Sequence, residues 1–165
     1  MTSTTVADVM TRTLVTITPD CSIPQLEKVL TEHEIGAVPV LDRGKLGGIV
    51  SRADVVRRIC VERSVAEIVS ESDIDLSGFN QNPSAAAEFT EIAELLGCRI
   101  DHLTAADVMD TEIRSVAPDA PVAVAARLMV EHRLHHVLVL QDDSLVGLVS
   151  SFDIVRHVAE TARPA

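Results

Sequence analysis

An α/β fold built from two copies of one strand-helix-strand-strand-helix unit, packed as a pseudo-twofold pair, is the architecture this sequence predicts. Three observations carry the prediction. The stretch "GGIVSRAD" at 47–54 returns as "VGLVSSFD" at 146–153. A shift of ninety-nine residues superposes Ala7–Ile59 on Ala106–Val158 without a gap, with about a third of the positions identical, the signature of a repeated supersecondary unit. Finally, apolar strand-like runs alternate with helical patterns, so each copy must bury both faces of a small sheet, which neither is large enough to do alone.

Each element follows from period and punctuation. In the first copy "LVTITPD" is a β-branched strand stopped by Pro19, and Ser22 caps a helix with Pro24 in its first turn, where a missing N–H is tolerated. That helix runs to about His33. "GAVPVLD" and "LGGIVS" are strands joined through the turn "RGK", and a second helix opens near Ser51 and carries "ADVVRRI". The second copy repeats the order with "SVAPDAP", the helix "VAVAARLMVEH", the strands "HHVLVL" and "LVGLVS" around "QDDS", and the helix "FDIVRHVAE". The expected units are residues 6–60, an insertion at 61–104, and residues 105–160. Within the insertion, "SESDIDLSGFNQNPS" reads as a loop and "SAAAEFTEIAELLG" as a helix stopped by Gly97. Phe89, Ile92, Leu95 and Leu96 can share one face of that helix and pack on the pair or on a second subunit.

Composition narrows the function. The 165 residues are 47% hydrophobic but hold three Phe and no Trp or Tyr, so the core is aliphatic and stacking platforms for bases are nearly absent. A formal charge of −11 opposes binding to nucleic acid or anionic membranes. A locally positive pocket for one small anion remains compatible with that charge. Cys21, Cys60 and Cys98 are odd in number and widely spaced, which indicates neither a disulfide framework nor a zinc knuckle and reads as a reducing compartment. With no signal-like start and no membrane-length apolar run, the expectation is a soluble cytoplasmic protein. A P-loop, a nucleophile motif and an acid/base pair are all missing, so an enzyme is not expected.

The recurrent serine and aspartate have a plain reading first. Ser51 with Asp54, and Ser150 with Asp153, form the capping-box pattern at a strand end that opens a helix. The same place offers free N–H groups and a positive dipole end to a phosphate, and a carboxylate one turn in can accept a ribose diol. The two roles are compatible.

With "ADVM" leading in, "TITPD" or "SVAPD", a helix ending in "EH", "GAVPVLD" or "HHVLVLQDD", and a "GxVSxxD"-like close, each copy resembles the CBS domain, which usually occurs in tandem pairs. The resemblance covers about two thirds of the chain. It implies an adenosine-containing ligand in the cleft between copies, AMP, ADP or ATP first and S-adenosylmethionine or NAD less so, with no catalytic cofactor. It further implies a homodimer and an output through a partner protein, since no other domain accompanies the pair. By resemblance Asp54 and Asp153 match the ribose position, with Ser51 and Ser150 near the phosphates. His135 and His136 match a strand start that carries phosphate-binding basic residues in some relatives, where the first copy has the small Gly36 and Ala37. Arg52 and Arg133 are further candidates for anion contact, whereas Arg57 and Arg156 are expected on solvated helix faces. Val9, Met10, Ile35, Val108, Met109 and Leu134 are placed around the adenine, though each would be at home in a core. His132, His135 and His136 also form H-x-x-H-H, but no nearby Cys completes a tetrahedral site, so zinc is not expected. The alternative to a ligand sensor is a scaffold whose serines and aspartates survive only as helix caps.

Overall fold

Helix caps set the boundaries of the chain's elements in the computed structural model, which describes residues 4–71 and 102–161, with side chains described to residue 61 of the first stretch. Thr5 caps the short helix α1 (Val6–Val9) and Ser22 caps α2 (Ile23–Glu32), with Pro24 in its first turn. The strands β1 (Ala37–Asp42) and β2 (Lys45–Ser51) follow, and Ser51 opens α3 (Arg52–Glu71). The second copy repeats the order as α4 (Ala105–Val108), β3 (Ser115–Val116), α5 (Val122–His132), β4 (His136–Gln141), β5 (Ser144–Ser150) and α6 (Ser151–Thr161). The expected two-unit α/β fold is present.

Two local readings change. The expected first strand shrinks to the two-residue β3 in the second copy and to a single parallel bridge, Ile17 to Val40, in the first. Pro19 and Pro118 lie just beyond these points and cannot donate to a ladder, so pairing stops there. Helix α3 also runs past Cys60 to Glu71, into residues read as insertion. The loop and helix expected over the rest of that insertion lie outside the described residues.

The hairpins have identical register: Ala37 faces Ser51 and Val38 faces Val50, just as His136 faces Ser150 and Val137 faces Val149, with one irregularity at Val40/Leu41 and at Val139/Leu140. Both turns need positive φ at two residues. The first copy supplies Arg43 and Gly44, and the second Asp142 and Asp143, in keeping with tight hairpins whose twist matches the strands.

Each copy has its own aliphatic core, yet neither core is made by one copy alone. Leu26, Leu30, Val38, Val40 and Val50 are joined by Leu103, Ala105 and Val108 from the lead-in of the second copy. Ala125, Met129, Val137, Val139 and Val149 are joined by Val6 and Met10 from the lead-in of the first. The backbone fixes this exchange. The N–H groups of Val6 and Ala7 donate to the carbonyls of Ala120 and Pro118, and those of Ala105 and Ala106 donate to Cys21 and Pro19, all at 2.8 to 2.9 Å. Beyond the helices, Thr11 pairs with Leu148 and Asp110 with Ile49. Gly48 and Gly147 admit these crossing segments: a Cβ on Gly48 would stand 2.5 Å from the Asp110 carbonyl oxygen, and one on Gly147 would stand 2.5 Å from Met10 Sδ. The recurrent glycines are therefore required by close approach.

Candidate functional site

Two clefts open on either side of the pseudo-twofold, where Gly36 of one copy meets His136 of the other: a Cβ on Gly36 would lie 3.0 Å from the imidazole. The Asp153 cleft, about 360 Å³, is lined by Ser150, Phe152, Asp153 and His136 of the second copy and by Thr11, Thr13 to Val15 and Glu34 to Ala37 of the first. The Asp54 cleft, about 470 Å³, reverses the contributions: Ser51, Asp54 and Arg57 come from the first copy, and Asp110 with His132 to His136 from the second. Both volumes fall within the range usual for small-molecule sites.

At the base of each cleft a strand end becomes a helix start. Ser51 donates its backbone N–H and its hydroxyl to Asp54 Oδ2, at 2.9 and 2.6 Å, and Asp54 N–H returns a bond to Ser51 Oγ at 3.3 Å. Ser150 and Asp153 repeat the arrangement at 2.9, 2.6 and 3.2 Å. These are capping boxes. The remaining oxygens, Oδ1 of Asp54 and of Asp153, accept from Arg57 at 2.9 Å and from Arg156 at 2.8 Å. Those arginines are exposed, as expected, but they are held against the carboxylates, and Arg57 lines its cleft. Asp153 is buried and Asp54 half-buried. An exposed guanidinium contributes little to such a pair, so Oδ1 is the oxygen a ligand hydroxyl can recruit.

The structure redistributes the residues singled out from the sequence. Ile35, Gly36 and Ala37 meet Ser150 and Asp153, while Arg133, Leu134 and His135 meet Ser51 and Asp54. Gly36, Ala37 and His136 line both clefts. A serine and aspartate thus face the strand start of the opposite copy. Val9, Met10, Val108 and Met109 line neither cleft, because the lead-in exchange carries them into the cores or against them, with Met10 beside Gly147 and Met109 beside Gly48. Arg52 also turns away, donating to the Leu30 carbonyl at 2.9 Å and bordering a separate hollow with Glu27 and Thr31. Glu34, Thr11, Thr13, Asp110 and Phe152 are cleft residues that sequence reasoning missed. Their signal is alignment: Glu34 stands opposite Arg133, Thr11 opposite Asp110 and Phe152 opposite Ala53 under the ninety-nine-residue shift.

Burial, and then neighbouring His135, push the His136 imidazole below its ordinary value of 6.5, against the pull of Asp153 and Asp54. It is therefore neutral at neutral pH. Among the described residues no three metal-ligating side chains converge, and His132 instead lies 3.4 Å from Arg114. No described helix is long and apolar enough to cross a membrane.

The CBS-domain pattern matches residues 6–61 and again residues 105–160. The chain belongs to the CBS-domain family. It is a tandem CBS pair, 26% identical over 98% of its length to the mitochondrial CBS domain-containing protein CBSX3 of Arabidopsis thaliana, 68% of which it covers. Where the pair matches an enzyme the match is partial, as with 12% of a homoserine O-acetyltransferase from Methanosphaerula palustris, 43% identical over 61 residues. Several solved structures share its fold. The AMP complex of CBSX2 superposes with a TM-score of 0.66 at 23% identity, covering 96% of this chain and 98% of that one. The CBS pair of MJ0100 with 5′-methylthioadenosine and S-adenosylmethionine also gives 0.66, at 22% identity over 97% and 99%.

Proposed function

We propose that this CBS pair is a regulatory module that binds an adenosine-containing ligand between its repeats and passes its state to a partner protein. One observation carries the reading: each cleft sets a helix N-terminus and a capping aspartate against the strand start of the other repeat. The free N–H groups and dipole suit a phosphate, and Asp Oδ1 suits a ribose hydroxyl. The ligands bound by CBSX2 and MJ0100 support the adenosine class. AMP, ADP and ATP are the favoured members, ahead of S-adenosylmethionine and NAD, because His132, Arg133 and His135 gather at the Asp54 cleft. A ligand touching both repeats favours one arrangement of the pair, and that differential affinity is the signal. The exposed Val56, Val155 and Val158 on α3 and α6 offer an apolar face to a second copy.

A scaffold without ligand is the second reading. It is favoured by the capping aspartates, whose four oxygens all have partners within the chain. Thermal melting with AMP, ADP, ATP, S-adenosylmethionine and NAD in parallel separates the two. A selective rise in melting temperature, lost in Asp54→Ala or Asp153→Ala, is the expected result. A folded protein that none of the five stabilises is the scaffold.

A further inference from the structure

The two clefts differ most at one backbone-equivalent position. Glu34 and Arg133 each follow a helix, α2 or α5, and each adopts the left-handed conformation, with φ of 53° and 55°. Their backbones thus launch the two side chains from matching places, Glu34 at the Asp153 cleft and Arg133 at the Asp54 cleft. The charge at that place is reversed between the repeats.

The other linings reinforce the reversal. Apart from His136, which both clefts share, the ionisable side chains lining the Asp153 cleft are Glu34 and Asp153, and Arg156 is held on Asp153. The Asp54 cleft, where Arg57 is likewise held on its aspartate, adds Arg133, His132 and His135 against Asp110. Thr11 replaces Asp110 in the Asp153 cleft, and Phe152 replaces Ala53, which adds an aromatic face to hydroxyl-bearing walls from Thr11 and Thr13. A dianionic phosphate brought beside Glu34 meets like charge, whereas a neutral or cationic 5′ substituent does not. Beside Arg133 the preference runs the other way.

We infer that Glu34 and Arg133 sort ligands by charge, so that the Asp153 cleft takes an adenosine derivative lacking phosphate, neutral or cationic beyond C5′, and the Asp54 cleft takes the nucleotide. This rests on the adenosine reading above. Both determinants are exposed, so screening limits the discrimination to roughly three- to tenfold per charge reversal. The pair is a two-channel site.

Calorimetric titration of the full chain with AMP, adenosine and S-adenosylmethionine tests this, on the wild type and on Glu34→Arg, Glu34→Gln and Arg133→Glu. Glu34→Arg is expected to weaken S-adenosylmethionine roughly three- to tenfold and leave the tighter AMP site unchanged. Arg133→Glu is expected to weaken AMP by a similar factor and spare S-adenosylmethionine, with Glu34→Gln giving a smaller effect in the direction of Glu34→Arg. Both differences should shrink in about 0.5 M salt, which a loss of packing would not do. Equal effects on AMP and S-adenosylmethionine, or none, overturn the charge sorting while leaving adenosine binding standing. Failure of all three probes to bind the wild type overturns both readings.

Discussion

The Asp153 and Asp54 clefts are built on one backbone and furnished differently. Hairpin register, capping box and the ion pair from aspartate to the arginine three residues on are the same in both, within a tenth of an ångström for each bond named. What differs lies at the rim and the walls: Glu34 against Arg133, Thr11 against Asp110, Phe152 against Ala53. The shared parts are those that terminate strands and start helices, so folding alone accounts for their duplication. The divergent parts are not explained by strand ends and helix starts, and the proposed charge sorting gives them a use.

The largest expected effect lies where the equivalence is sterically incomplete. Gly48→Ala drives a Cβ onto a backbone carbonyl, while Gly147→Ala meets chiefly the flexible Met10 thioether. Gly48→Ala should cost about 2–3 kcal/mol of stability and Gly147→Ala about 1 kcal/mol, read from urea unfolding midpoints. Equal losses would mean that Met10 is as firmly held as the Asp110 backbone.

Protonation of His136 probes the part the two clefts share. Because burial lowers its folded value below 6.5, the unfolded chain binds the proton more readily. This contribution to stability is therefore complete above the unfolded value and declines as pH falls below about 6.5. Denaturation midpoints between pH 8 and pH 5 should show that slope in the wild type and lose part of it in His136→Gln. A nucleotide phosphate nearby opposes the shift, so AMP binding at neutral pH should take up protons, seen as a buffer-dependent heat, and less so in His136→Gln.

The smallest effect sharpens the comparison of the hairpin tips. Asp143 holds φ of 62° where Gly44 holds 81°. Asp143→Gly should raise stability by about 0.5 kcal/mol, and Gly44→Asp should lower it by about as much, a difference that paired thermal melts can resolve.

The repeats, their hairpin strands and both capping boxes were legible in the sequence because each is written locally: a ninety-nine-residue period, Pro and Ser at helix starts, alternating apolar runs. The lead-in exchange was not legible. Val9, Met10, Val108 and Met109 are apolar residues whose pattern says that they are buried but not in which copy, and backbone bonds such as Ala7 N–H to Pro118 O leave no mark on side-chain identity. The composite clefts follow from the same long-range docking, which is why the sequence does not show that Leu134 and His135 of the second copy stand with Asp54 of the first. Glu34 was missed because its significance exists only opposite Arg133. Arg52 was misplaced because a carbonyl on α2 is a nearer partner than any anion.

The crossed lead-ins also set a schedule for synthesis. When the first repeat leaves the ribosome, Leu26, Leu30 and Val50 still lack Leu103, Ala105 and Val108, which close their core. Val6 and Met10 meanwhile have no core to enter until Ala125, Val137 and Val149 have been made. Neither repeat can be finished before the other has begun, so the nascent chain carries an open apolar seam until translation passes Val149, and the pair closes late. Stalled chains ending before Leu103 should be cut readily by protease across the first repeat, and chains carried through Thr161 should not.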